Sequence, residues 1–318
     1  MTRRILSIDG GGIKGVFPAS FLATVENSIE GQVADYFDLI VGTSTGGIIA
    51  LGLGLGLSAS DILRFYEDSG SEIFGGNRIV RNIRRFRVAK YDDRPLRDAL
   101  ESVFGERKLG ESSKRLVIPS LNLDNGGVYI YKTAHHPRFE RDYKTKVVDV
   151  ALATAAAPTF FPTHHSAVGT PLIDGGMYAN NPTGLATVEA IGVLDWPKDS
   201  LRVLSLGCTS EPFDAGKARF LPRGLGYWGP RIVDLFMTAQ SSSSLGTAHV
   251  LLGHDDVLRV DPRVPSGRYG LDTHEGTGSL RGLGDSEARD ALPEIRRMFI
   301  DEGLSEQFEP YKQLDSGD

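Results

Sequence analysis

The chain has 318 residues, 40 % of them hydrophobic and 24 % charged, proportions that build one large or two small folded domains and not a disordered segment. Its formal net charge of −6 argues against general binding of DNA or RNA, and its single cysteine, Cys208, excludes an intramolecular disulfide and a multi-cysteine metal site. The opening MTRRILSIDGGG lacks the apolar stretch of a secretory signal, and the most apolar run, Ile48 to Leu57, is about half a membrane span. The chain therefore reads as soluble and cytosolic, with any membrane contact peripheral.

Two strand–helix units open the chain. Arg4 to Ile8 predicts a buried strand that ends at Asp9 and the turn Gly10-Gly11-Gly12. A helix follows with Phe17, Phe21, Val25 and Ile29 on one face and Gly31 just past its end. Phe37 to Val41 predicts the second strand, and Gly42 to Gly46 a turn into a helix through Ile49 and Leu53. A further helix from Asp61 to Tyr66 has Ser58 and Ser60 as cap candidates. Beyond it, a helix carries Leu96, Leu100 and Val103, strands are expected at Leu116–Leu121 and Val128–Tyr131, and a small-residue helix at Val147–Ala156. Pro171 to Ile173 reads as a strand ending in Asp174, Leu201 to Leu206 as another, and late helices are expected near Ile232–Leu252 and Glu287–Ile300. Repeated strand–helix alternation predicts an α/β layer with a mostly parallel sheet.

Gly42-Thr43-Ser44-Thr45-Gly46 is a G-x-S-x-G between a buried strand and a helix. A serine on such a turn points its hydroxyl out of the sheet, and flanking glycines allow the tight turn. The helix that follows aims its first amides and positive dipole end at the same place, which favours an oxyanion. A plain glycine–serine turn with a capping serine has the same letters, so the pentapeptide needs company.

Asp9-Gly10-Gly11-Gly12-Ile13-Lys14-Gly15 supplies some. Successive glycines leave backbone N–H groups bare, able to form a nest for a negative oxygen. Gly10-x-Gly12-x-x-Gly15 also fits a dinucleotide fingerprint, but the acid expected about 20 residues on is poorly matched, because Glu26 and Glu30 lie within or at the end of the first helix. The P-loop pattern fails because Lys14 is followed by Gly15.

Asp174-Gly175-Gly176, at a strand end, places a carboxylate where it could accept the Ser44 proton, although glycine-flanked aspartates also serve as turn residues. The seven histidines are His135, His136, His164, His165, His249, His254 and His274. An α/β-hydrolase triad would need a late one, but His249 falls within a predicted helix and His254 and His274 in polar loops. In that fold the nucleophile also follows a later strand than the second. A Ser44–Asp174 dyad explains the sequence better, and no metal-ligand cluster is evident.

These motifs, in the order D-G-G-G-x-K-G, G-T-S-T-G and D-G-G, resemble the patatin-like phospholipases from Ile5 to about Asn181. Ala157-Pro158-Thr159-Phe160-Phe161-Pro162 and Asn180-Asn181-Pro182 share in the likeness. The resemblance implies a patatin-like three-layer α/β sandwich and a lipid acyl hydrolase without a required cofactor. Ser44 would be nucleophile, Asp174 base, and the amides of Gly10, Gly11 and Gly12 the oxyanion hole. Lys14, Gly15, Gly42, Gly46, Gly175 and Gly176 would support the motifs. Residues 1–206 would form the catalytic core and 207–318 helical and strand additions on the same domain.

Between Asn77 and Arg97 the acidic chain reverses sign locally, with Arg78, Arg81, Arg84, Arg85 and Arg87 interleaved with Ile79, Val80, Ile83 and Phe86. A solvated basic face, docking on anionic lipid at the inner membrane, and binding of a phosphate-bearing regulator all fit. The run from Tyr36 through Gly54 further resembles bacterial patatin-like effectors of CBASS antiphage systems. That likeness implies phospholipid as substrate at the membrane surface and a cyclic di- or trinucleotide as activator. A constitutive lipid hydrolase and a non-catalytic nucleotide sensor are the competing readings. Apolar helix faces toward the C-terminus suit a core or a homo-oligomer interface equally.

Overall fold

The computed structural model describes residues 2–73, 89–213, 216, 224–228, 232–272 and 274–314. Arg78, Arg81, Arg84, Arg85 and Arg87 lie outside the described residues.

Strands β1 (Arg3–Ile8), β2 (Leu39–Gly42), β3 (Arg115–Asn122), β4 (Val128–Lys132), β5 (His164–His165), β6 (Pro171–Asp174), β7 (Leu201–Leu206) and β8 (Val257–Val260) form one sheet. Its order is β5-β6-β3-β2-β1-β7-β8, with β4 also paired to β3. The contiguous block β3-β2-β1-β7-β8 is parallel, and β4, β5 and β6 add antiparallel pairings. The two-residue repeat of a strand sends alternate side chains to opposite faces. Leu6, Ile8, Ile40, Leu116, Ile118, Leu204 and Leu206 enter one core, while Ile5, Leu39, Val41, Val117, Leu201 and Val203 enter the other.

Helices α1 (Val16–Glu26), α2 (Thr45–Gly54), α3 (Ala59–Ile73), α4 (Arg94–Phe104), α5 (Val147–Ala155) and α9 (Thr277–Ile295) supply the first core. A short turn α6 (Gly176–Ala179) follows Asp174, and α7 (Thr183–Gly192) and α8 (Ile232–Leu252) cover the other face through Ala186, Ala190 and Ala248. The result is a three-layer α/β sandwich. Every residue of α2 is buried, which accounts for most of the apolar run at Ile48–Leu57, Ile48 to Gly54, as a helix enclosed on all sides. Among the described residues no helix is long and apolar enough to cross a membrane.

Elements differ from expectation in several places: the first helix ends at Glu26, short of Ile29 and Gly31, the helix expected over Asp61–Tyr66 runs from Ala59 to Ile73, and the two-residue strand β5 was not expected. The last helix starts at Thr277, ten residues before the expected Glu287, and ends at Ile295 in a π-turn, Arg296–Ile300. Gly278, Gly282 and Gly284 weaken its first turns as an isolated segment. Packing on α1 overrides this, and a Cβ at Gly284 would lie 2.6 Å from the Phe17 carbonyl oxygen. Strand β8 was unforeseen because Arg259 interrupts a run of only four residues, and α7 (TGLATVEAIG) was also not expected. Strand β8 lies beyond residue 206 yet pairs with β7 across Val203–Leu206.

Candidate active site

The path of β3 brings the serine and aspartate motifs together. Val117 pairs with Val41 of β2 and with Lys132 of β4, while Ser120 pairs with Asp174 of β6 and with Tyr129 of β4. Since β4 occupies one edge of β3, β2 and β6 share the other. They run toward each other along it and stop short of meeting, at Ile118 and Pro119. Ser44 leaves the end of β2, and Asp174 is the last residue of β6.

Ser44 has φ 54° and ψ −121°, a backbone conformation that costs a non-glycine residue on the order of 1–3 kcal/mol. Close packing enforces it. A Cβ at Gly42 would sit 2.1 Å from the Gly46 carbonyl oxygen, and one at Gly46 would sit 2.3 Å from that of Ile8. The Ser44 N–H donates to the Thr154 hydroxyl at 3.0 Å, and the Thr43 hydroxyl donates to the Ala179 carbonyl at 2.6 Å. Strain, two obligatory glycines and these anchors hold the Ser44 side chain at the mouth of α2.

The Asp174 carboxylate is buried and accepts the Gly176 N–H at 2.6 Å, and the Ser44 hydroxyl lies close enough to favour its charged form. Burial pushes this carboxyl up to about 6, opposed by the Gly176 amide and the Ser44 hydroxyl. Gly175 is packed so that a Cβ would lie 2.1 Å from the Pro119 carbonyl oxygen. Three of the histidines have partners elsewhere: His135 bonds Thr133 and Glu189, and His249 stacks on His254, while His164 lies 3.8 Å from Asp149.

The glycine-rich loop lies against Ser44, with the Gly10 position 3.2 Å from Ser44 Cβ when a Cβ is placed on it. The Gly10 N–H donates to the Asn180 carbonyl at 2.9 Å, so the expected donors narrow to Gly11 and Gly12. Neither of these donates to a backbone acceptor among the described residues. Gly12 takes φ 57° and closes on the Leu271 carbonyl oxygen, to which the Ile13 N–H donates at 2.9 Å. Lys14 does not reach the dyad through its ammonium but donates to the Thr209 carbonyl at 3.2 Å. Gly15 makes room for Thr45, whose hydroxyl oxygen would lie 2.3 Å from a Cβ there.

Several supporting residues carried no sequence signal. Thr154 is one, and the α8 residues Gln240, Ser241 and Ser244 that grip Asn181 are others. Arg259 pairs with Asp9 through both terminal guanidinium nitrogens, Nη1 and Nη2, at 2.9 and 2.7 Å. Among the described residues no group of three or more His, Cys, Asp or Glu side chains is arranged to hold a metal ion.

A strand-to-helix serine, a buried aspartate and a glycine-rich turn thus meet at neighbouring strand ends of an α/β sheet, an arrangement of the serine acyl hydrolase kind. The sequence pattern of patatin-like phospholipases matches residues 6–187, more than half the chain, and the protein belongs to that family. It is a hydrolase acting on lipid esters. It is 38 % identical over 299 residues to a cGAMP-activated phospholipase of Pseudomonas aeruginosa, covering 92 % of this chain and 89 % of that one. A cGAMP-activated phospholipase of Vibrio cholerae is 37 % identical over 295 residues, covering 82 % of each chain. One from Escherichia coli is 35 % identical over 256 residues, covering 74 % of this chain and 72 % of its own.

Proposed function

We propose that the protein cleaves acyl esters of membrane phospholipids through a Ser44–Asp174 dyad and that a cyclic oligonucleotide switches it on in antiphage defence. The observation that carries the catalytic part is the strained Ser44 set beside a buried carboxyl whose affinity for a proton burial has raised. Asp174 takes the Ser44 proton as Oγ attacks the ester carbonyl carbon, and the Gly11 and Gly12 amides receive the oxyanion. Collapse expels the lysolipid alkoxide, which regains that proton from Asp174. Water then attacks the acyl-serine, giving its proton to Asp174, and the freed serine recovers it as the fatty acid departs. An aspartate near 6 is a usable base at neutral pH, which a solvated one near 4 is not.

Activation rests on likeness to the three cGAMP-activated relatives. Peripheral action at the inner membrane draws support from Met177 and Tyr178, 39 % and 40 % exposed on the turn just after Asp174-Gly175-Gly176. Residues 1–206 then serve as catalytic core, and 207–318 as additions to the same domain that brace it.

The test is fatty-acid release from phosphatidylethanolamine–phosphatidylglycerol vesicles, with and without a panel of cyclic di- and trinucleotides that includes cGAMP. Release that requires one nucleotide supports the proposal. Equal release without any supports a constitutive hydrolase, and nucleotide binding without hydrolysis under any condition supports a sensor. Ser44→Ala and Asp174→Asn should each abolish release, and substantial turnover by Asp174→Asn would sink the dyad. Light scattering on the same samples reads whether the active form is a homo-oligomer.

A further inference from the structure

Three consecutive glycines give the Gly10–Gly12 loop no side chains with which to hold itself in place, and glycine is the residue with the most backbone freedom to lose. Oxyanion donors act only if their direction is set before the reaction. Something outside the loop must therefore fix it. On its C-terminal side the Leu271 carbonyl receives the Ile13 N–H. On its N-terminal side every polar group of Asp9 is engaged. The Asp9 N–H donates to the Leu206 carbonyl at 2.9 Å, its carbonyl accepts the Cys208 thiol at 3.4 Å, and its buried carboxylate receives both arms of Arg259.

Arg259 is itself held in one orientation. It lies on β8 in register with Ser205 of β7, which is in register with Ser7 of β1. Its Nη1 also donates to the Ser205 hydroxyl at 2.8 Å, and its Nη2 to Asp261 at 2.9 Å. The Ser205 hydroxyl shares a hydrogen bond with that of Thr183 at 2.7 Å, and Thr183 with Ser7 at 3.0 Å. A planar guanidinium with two parallel bonds to a carboxylate fixes direction as well as distance, which an ammonium does not.

We propose that Arg259 is a positioning residue for catalysis: by clamping Asp9 it sets the direction of the Gly11 and Gly12 amides. The proposal rests on the reading of those amides as oxyanion donors. Arg259, on β8, lies three strands away from β2 and the Ser44 that follows it, and acts through Asp9, touching no substrate.

The test compares Arg259→Lys, Arg259→Gln and the double variant Asp9→Asn/Arg259→Gln with wild type, using a soluble p-nitrophenyl ester with cGAMP present. Arg259→Lys keeps the charge and loses the fork; its kcat should fall about 100-fold, as a misplaced donor costs, with KM within about threefold. Affinity for a trifluoromethyl ketone, which places an oxyanion at the site, should fall in parallel with kcat. Arg259→Gln leaves Asp9 and Asp261 without the guanidinium that bridges them, so it should also lose thermal stability. The double variant relieves the repulsion between them and should regain melting temperature without regaining kcat. A folded Arg259→Lys or double variant with near wild-type kcat overturns the proposal, as does kcat that returns in step with melting temperature. If Arg259→Lys does not fold, the double variant decides; if neither folds, Arg259 is a folding element and the positioning role is withdrawn. Wild-type turnover by Ser44→Ala would instead remove the dyad reading, a failure separate from that of Arg259.

Discussion

The Ser44 N–H donates to the hydroxyl of Thr154, and that hydroxyl donates on to the carbonyl of Pro119, at 3.0 and 2.6 Å. Pro119 occupies the gap where β2 and β6 stop short of each other on β3, and proline brings no N–H that would go unpaired there. One threonine on α5 thus ties the strained serine to the strand that aligns it with Asp174. Thr154→Val keeps the volume and leaves both buried backbone groups unpaired. It should cost about 2 kcal/mol in urea unfolding and lower kcat roughly tenfold or more, while Thr154→Ser stays near wild type in both.

Ser44 should also trade stability for function. Replacing it with alanine removes the proposed nucleophile but leaves a Cβ at φ 54°, whereas glycine tolerates that conformation. Ser44→Gly is expected to be inactive and more stable than Ser44→Ala by about 1 kcal/mol, measured by denaturant melts.

The raised Asp174 pKa has two consequences with opposite signs. As the proposed base it must be ionised, so kcat/KM should rise with pH through about 6 and then level. As a buried acid it weakens the fold. The unfolded carboxyl ionises near its ordinary value of 3.8 and the folded one near 6, so stability falls as pH rises between them and stays lower above. Asp174→Asn should therefore be more stable than wild type at pH 8, by an amount on the order of 3 kcal/mol, and about equal to it at pH 3. Melts at the two pH values check the sign.

Cys208 is buried, donates to the Asp9 carbonyl, and would touch any Cβ placed on Gly11. Burial, aided by the nearby Asp9 charge, pushes its thiol well above the usual range. Native protein should resist an aromatic disulfide reagent at pH 8 and react fully in denaturant. Faster labelling in Arg259→Lys would report a loosened glycine loop.

Much of the architecture was legible because its signals are local. A run of alternating or fully buried apolar residues marks β1, β3 and β7 wherever the rest of the chain goes, and Gly42 and Gly46 announce the turn that carries Ser44. The helix over Thr277–Ile295 was legible only in its second half. Its glycines disfavour a helix alone, and the contact that requires one of them, Gly284 on the Phe17 carbonyl, spans more than 260 residues of chain.

The sequence by itself determined the α/β class, the buried strands, and the placement of Ser44, Asp174 and the glycine loop at strand ends. Those follow from side-chain periodicity and from what glycine permits. Tertiary structure alone decided that β2 and β6 share one edge of β3, that Gly10 spends its amide on Asn180, and that Thr154 bonds Ser44 and Arg259 bonds Asp9. Each of those is a hydrogen bond or register between segments 35 to 250 residues apart, where no local pattern records which donor will meet which acceptor.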